Sequence, residues 1–196
     1  MFIDNLRVVT MAANVPGCVV ECGVWRGGMS AGIASLLGPT RTYYLFDSFE
    51  GLPPAQAIDG SKAIQWQQAT DSSAYYDNCS AGEEFAHRAM RRAGARDVHL
   101  VKGWFSDTVP GFMPSAPIAV LRLDGDWYES TMTCLTGLYD KVAPGGLIIL
   151  DDYYSWDGCS RATHDFLSRR SAVERIRVQG AVCYLVKVAQ ELDGHH

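Results

Sequence analysis

The chain has 196 residues, 47% of them hydrophobic and 20% charged, with 22 acidic against 17 basic side chains and a net charge of −5. That is the size and composition of one folded domain, which excludes wholesale disorder, and the acidic balance disfavours nucleic acid as the main ligand. No apolar run of about 20 residues is present, which excludes a membrane span, and the start carries Asp4 with no basic-then-apolar pattern, so no secretion signal is read and a cytoplasmic location is expected.

In chain order, Cys18–Cys22 reads as a short strand before a glycine-rich turn, and Met29–Leu37 as a helix of small and apolar residues. Thr42–Phe46 is a second strand, stopped by Asp47. A long irregular stretch from about Glu50 to Ser80 follows, and a loop of that length is functional or carries structure of its own. Glu83–Ala93 is predicted helical, Val98–Val101 a third strand, and Ile118–Leu123 a fourth that is nearly all apolar apart from Arg122. Glu129–Val142 is predicted as a helix ended by Ala143-Pro144-Gly145-Gly146. Leu147–Leu150 is a fifth strand ending at Asp151, and Ser160–Arg169 a helix. Val173–Val178 and Val182–Val188 suit a terminal antiparallel pair joined through Gln179-Gly180. This alternation implies a doubly wound, mostly parallel α/β sheet with an antiparallel C-terminal strand, in a single domain over 1–196. Ligands of such sheets bind beyond the carboxyl ends of the strands.

Six scattered cysteines, with no CxxC pair, argue against zinc and against a disulfide framework and are read as reduced core residues. His87 and His99 are read as structural, His164 as a weak candidate for the site, and Gly194-His195-His196 are given no role.

Three constellations follow strands. Glu21-Cys22-Gly23-Val24-Trp25-Arg26-Gly27-Gly28 lets backbone approach a ligand at a helix N-terminus, but lacks the GxGxxG of dinucleotide binders, so a cofactor with a carboxylate and no pyrophosphate fits better. Asp47, at the end of the second strand, is placed to accept both ribose hydroxyls of a nucleoside, or else to cap its own turn. Asp124, Asp126, Asp151 and Asp152 close neighbouring strands, where a divalent cation would relieve their repulsion, and an all-oxygen set suits Mg²⁺, Mn²⁺ or Ca²⁺. Solvated loop carboxylates are the competing reading.

Taken together with Phe46–Pro53, Leu123–Thr131, Pro144–Gly146 and Asp151-Asp152-Tyr153, the chain from about Asn5 to Val188 resembles the macrocin O-methyltransferase (TylF/MycF-like) family. These enzymes transfer a methyl group from S-adenosylmethionine to hydroxyls of natural products. The resemblance implies a Rossmann-like class I methyltransferase fold. It assigns Glu21, Gly23, Val24 and Trp25–Gly28 to the methionine end of the cofactor and Asp47, Ser48 and Phe49 to the ribose. Gly103, Trp104 and Phe105 would border the adenine. Mg²⁺ would be held among Asp124, Asp126, Asp151 and Asp152, with either Asp124 or Asp126 as the base, and residues from about 52 to 80 would form a lid over the acceptor. The implied acceptor is a sugar hydroxyl of a glycosylated secondary metabolite, with a catechol-type phenol as the alternative. The expected assembly is a homo-oligomer; only about 20 residues precede Gly23 where the family has a longer segment, so the acceptor pocket is expected either to be more open or to be completed by a neighbouring subunit. A dinucleotide oxidoreductase, a metal-dependent hydrolase and a non-catalytic binding module are the competing readings.

Overall fold

Every residue of β1 (Cys18–Cys22) is buried, as a strand covered on both faces requires. Its alternating side chains separate two cores. Val20 and Cys22 join a cluster with Leu121 and Leu123 of β4 (Ile118–Leu123), Leu135 of α6 (Tyr128–Leu138) and Phe166 of α7 (Asp157–Arg169). Val19 joins a second cluster with Val8 and Val9 of α1 (Phe2–Thr10), Ile33 of α2 (Gly28–Leu37) and Met90 of α4 (Glu83–Arg92). The computed structural model describes residues 1–170 and 172–189; the terminal Gly194–His196 lie outside the described residues.

The other strands are β2 (Thr42–Asp47), β3 (Asp97–Lys102), β5 (Val142–Leu150), β6 (Arg177–Gln179) and β7 (Val182–Val186). They form one sheet in the order β3-β2-β1-β4-β5-β7-β6, parallel from β3 through β5 and antiparallel at β7 and β6. The expected doubly wound sheet is therefore present.

Several elements differ from the sequence reading. The N-terminal helix α1 was not anticipated. The stretch after β2 is not irregular throughout: it holds α3 (Ser61–Gln68) and two 3₁₀ turns, Ala57–Asp59 and Tyr76–Cys79. A short α5 (Phe105–Thr108) follows β3. The sixth helix stops at Leu138 and passes through a 3₁₀ turn, and β5 begins at Val142, because the Pro-Gly-Gly segment is taken up as a register irregularity in the strand rather than as a loop. The first terminal strand is confined to Arg177–Gln179.

Register positions the site. Cys22 pairs with both Phe46 and Leu123, and Leu123 pairs with Leu150, so Gly23, Asp47, Asp124 and Asp151 leave the sheet side by side. The ladder continues one step beyond the strands: the Asp124 amide donates to the Cys22 carbonyl (2.8 Å), the Asp151 amide to Leu123 (2.9 Å) and the Gly103 amide to Asp47 (2.9 Å). Gly23 has φ of 91°, and a Cβ there would lie 1.8 Å from the Asp124 carbonyl oxygen. This glycine is required by the approach of two neighbouring strands, before any ligand is considered.

Gly23→Ala is predicted to lower stability by roughly 2–4 kcal/mol, read as a melting temperature lower by about 5 °C or more. Gly28→Ala, where an added Cβ meets nothing within 4 Å, is predicted to be neutral within about 0.5 kcal/mol. Equal melting temperatures for the two variants would contradict this reading of the strand ends.

Candidate active site

A cavity of about 350 Å³ opens at this sheet edge, within the usual range of small-molecule pockets of roughly 300–1,000 Å³. Gly23, Trp25, Asp47 and Ser48 line one side, and Gly103, Trp104 and Phe105 another. Asp124 and Asp126 form the floor beside α6. These are nine of the residues singled out from sequence. Leu52, Pro53 and Cys79, from the two ends of the expected lid, close the remaining side.

Backbone and buried groups around the lining hold these residues in place. Asp47 is committed first to backbone: its Oδ2 accepts the amides of Val24 and Trp25, both at 2.7 Å, and its Oδ1 accepts that of Phe49 at 2.7 Å. A carboxylate offers about four acceptor positions, of which backbone amides take three, the turn-capping role that the sequence also allowed, and one is left on Oδ1. Both Trp25 and Phe49 have positive φ, 48° and 57°, and the three bonds from Asp47 hold the two turns in that conformation. Arg26 lies over the Trp25 ring at 4.8 Å and the Phe85 ring at 5.5 Å. Gly27, left-handed with φ of 75°, caps α2, and Gly28 begins the helix. Glu21 lies beneath the cavity, 1% exposed, and its carboxylate meets Ser30 and Arg122.

Arg122 is the hub of the acidic residues. Its Nη1 donates to Glu21 Oε1 (2.6 Å) and Asp124 Oδ2 (2.9 Å) and its Nε to Asn5 Oδ1 (3.2 Å), while its Nη2 forms an ion pair with Asp151 Oδ1 (2.9 Å). Asp124, Asp151 and Asp152 bring one carboxylate oxygen each within 4.8 Å of one another. Each is anchored through a single oxygen: Asp124 and Asp151 as above, and Asp152 through Oδ2, which accepts the Asp126 amide at 3.0 Å. Their other oxygens accept from no N–H or O–H donor among the described residues, and Asp124 and Asp152 are close enough to share a hydrogen bond with each other when one is protonated. No fully enclosed side-chain oxygen among those residues lacks a partner, so these oxygens face accessible space. Three oriented, solvent-reachable carboxylate oxygens with no sulfur or nitrogen in the set fit a hard divalent cation.

Asp126, expected as a fourth ligand, stands apart from this group. It has φ of 58°, and its Oδ1 accepts the Trp156 indole N–H at 2.8 Å. Trp156 packs against Trp127 (5.3 Å between centroids) and Trp66 of α3 (5.8 Å), so the insertion after β2 is fastened to the Asp126 loop by three tryptophans. His164 hydrogen-bonds Tyr153 at 2.8 Å and does not line the cavity. All six cysteines are free, five buried and Cys79 half-buried.

Burial raises the Asp126 carboxyl well above its ordinary value, and Asp124 adds to this. Burial does the same for Asp152, reinforced by Asp126 and Asp124. Asp124 is also raised by burial, against the pull of Arg122. Burial pushes Glu21 up to about 7 despite Arg122 and Ser30. Burial alone would lower Arg122, but Asp124, Glu21 and Asp151 outweigh it and hold the guanidinium charged.

Sequence reasoning missed Ser106 of α5, Glu129, Ser130 and Thr133 of α6, all cavity-lining, and Asn5. Glu129 and Ser130 lie inside the Asp124–Thr131 motif, so a signal for them existed; Ser106, Thr133 and Asn5 carried none. Arg122 was visible as the single charge in an apolar strand.

The sheet order and the position of this cavity define a class I methyltransferase fold. Residues 3–184 match the family described as Macrocin-O-methyltransferase (TylF). The chain is 39% identical over 176 residues to 8-demethyl-8-(2,3-dimethoxy-alpha-L-rhamnosyl)-tetracenomycin-C 4'-O-methyltransferase of Streptomyces olivaceus, covering 85% of this chain and 65% of that protein. It is 37% identical over 180 residues to demethyldecarbamoylnovobiocin O-methyltransferase of Streptomyces niveus, again covering 85% and 65%. Among solved structures, that of the O-methyltransferase NovP superposes with a TM-score of 0.78 at 30% identity, covering 95% of this chain and 81% of that one. The chain belongs to the macrocin O-methyltransferase family and spans 65% of the length of these two curated relatives.

The raised carboxylates predict an unusual pH response of the metal-free protein. A carboxyl whose folded pKa lies above its unfolded value stabilises at low pH and loses that contribution as pH rises through the folded pKa. For Glu21 the window runs from about 4.5 to about 7. In the presence of a chelator the melting temperature is therefore expected to be higher at pH 5.5 than at pH 8. An equal or lower value at pH 5.5 would contradict the burial of these groups.

Proposed function

We propose that this chain is an S-adenosylmethionine-dependent O-methyltransferase whose acceptor is a sugar hydroxyl of a glycosylated natural product, with Mg²⁺ at Asp124, Asp151 and Asp152. The observation that carries the reading is that Asp124 belongs at once to the acidic cluster and to the floor of the cavity. The names of the curated relatives support the acceptor class: that from Streptomyces olivaceus is named for methylation of a rhamnosyl tetracenomycin. On this reading the enzyme works in the cytoplasm on a small molecule, with neither nucleic acid nor membrane as its partner.

The cofactor would lie along Gly23, Asp47 and Gly103. Its ribose would meet the free acceptor position of Asp47, its adenine Trp104 and Phe105, and its methionine end the Trp25–Gly28 turn and the helix N-terminus behind it. When bound, S-adenosylmethionine supplies an electrophilic methyl group and Mg²⁺ a charge that makes a coordinated acceptor hydroxyl more acidic.

The chain's own residues do the rest. Asp126 is assigned as the base. It lines the cavity, one oxygen is fixed by Trp156, and the other is left to take the hydroxyl proton. An ordinary aspartate near 3.9 is a weak base at neutral pH; burial and the neighbouring Asp124 raise this one. Asp124 is assigned to the cation, because Arg122 anchors one of its oxygens and the residue groups with Asp151 and Asp152. The insertion from about 52 to 80 is assigned as the lid. Leu52, Pro53 and Cys79 exclude water from the cavity, and the Trp66–Trp127–Trp156 contacts couple lid position to the base.

Calorimetry is expected to detect S-adenosylhomocysteine binding that is lost in Asp47→Ala. Asp151→Asn should abolish transfer to a glycosylated acceptor while leaving that binding within about twofold, and Asp126→Asn should lower turnover by about 10²–10⁴-fold. No binding to the unaltered chain would overturn the methyltransferase reading. Parallel loss of cofactor binding and transfer in Asp151→Asn would overturn the cation assignment.

A further inference from the structure

The inward stripe of α1 is made of Asn5, Val8, Val9 and, just past its end, Ala12, all 1% exposed or less. Three of the four are apolar. Asparagine is a poor helix former, and burying its amide is unfavourable unless every polar atom finds a partner. Asn5 nevertheless occupies the position where α1 passes the carboxyl ends of β4 and β5. Its Nδ2 donates to Asp151 Oδ1 at 2.7 Å and its Oδ1 accepts Arg122 Nε at 3.2 Å. Asp151 Oδ1 thus accepts the Asn5 amide and pairs ionically with Arg122 Nη2, while Asp151 Oδ2 takes no hydrogen bond from a donor among the described residues.

We infer that Asn5 is a positioning residue for the cation site: through Asp151 it selects which carboxylate oxygen is presented to the metal, and so makes divalent-cation affinity depend on the docking of α1. The inference rests on the cation site proposed above. Arg122 alone does not fix Asp151, because the same guanidinium also serves Glu21 and Asp124. The Asn5 amide is the one neutral donor among the described residues that reaches Asp151 from outside the sheet. Its geometry closes a ring: Asn5 to Asp151, Asp151 to Arg122, Arg122 back to Asn5. With Asn5 removed, Arg122 Nε loses its acceptor and the Asp151 carboxylate is free to turn about its Cβ–Cγ bond.

The test is Mn²⁺ titration of the full chain, followed by the electron paramagnetic resonance signal of free Mn²⁺, on the unaltered protein, Asn5→Ala, Asn5→Ser and Val9→Ala. Val9 lies on the same stripe, fully buried and without polar contacts, and controls for simple loosening of α1. Both Asn5 variants are expected to bind Mn²⁺ at least about tenfold more weakly. Val9→Ala is expected to melt at a lower temperature yet bind Mn²⁺ as the unaltered chain does. Asn5→Ser keeps a small polar group at the position and serves if Asn5→Ala does not fold. If the Asn5 variants bind Mn²⁺ like the unaltered chain, Asn5 is structural only and this inference falls while the cation site stands. If the unaltered chain binds no Mn²⁺, the cation site itself falls, and the inference with it.

Discussion

The guanidinium of Arg122 is the constraint on which the site depends. It is buried in the central strand β4 and answers carboxylates from three strands: Glu21 at the end of β1, Asp124 after β4 and Asp151 after β5. One cation facing five neighbouring carboxylates, Asp126 and Asp152 included, leaves a local excess of negative charge. Buried charges are expensive to desolvate and are retained where geometry and hydrogen bonding compensate them. Here the compensation is incomplete by design of the network: Arg122 secures one oxygen of Asp124 and one of Asp151, and leaves their partners unspent. Together with burial, the uncompensated remainder raises the carboxyls of Asp124, Asp126 and Asp152, and it is the charge that the proposed cation would offset.

The same network joins parts of the chain that are far apart in sequence. The parallel register brings Gly23, Asp124 and Asp151 to one edge, and α1 supplies Asn5 from the first turn and a half of the chain. On the cavity's other side Asp47 gathers three amides and shapes two left-handed turns. Asp59 plays a similar part for the insertion: buried, it accepts the Tyr128 amide at 2.7 Å and so ties the segment before α3 to the start of α6. The cavity is therefore built where carboxylates organise backbone first and keep only a limited, directed accepting capacity.

Much of this was legible in the sequence, for identifiable reasons. Apolar, β-branched runs ending in Glu, Asp or Gly mark parallel strands, and the residues just after them had to share one edge. The acidic cluster followed from that alone. What was not legible depended on partners rather than on pattern. Arg122 stood out as a lone charge in an apolar strand, but its partners are set by register with β1 and by the packing of α1. Asn5 looked like one polar residue in an unassigned segment. For Asp47 the sequence left ribose acceptor and turn cap both open, because its three backbone bonds depend on positive-φ turns at Trp25 and Phe49, which non-glycine residues rarely adopt. The Pro-Gly-Gly segment read as a stop, yet β4 pairing carried it into β5. The helix Ser61–Gln68 was hidden by its polar composition, since its helicity is supported by contacts such as Trp66 on Trp156.

The central claim is that Asp124, Asp151 and Asp152, held by Arg122, form a divalent-cation site on the wall of the cavity. Anomalous diffraction from crystals of the full chain grown with Mn²⁺ tests it most directly. The account predicts one strong peak among these three carboxylates, with Asp126 oriented toward Trp156 and outside the coordination. A peak elsewhere, or a cluster that stays empty at saturating Mn²⁺ while its carboxylates pair with one another through protons, would contradict it.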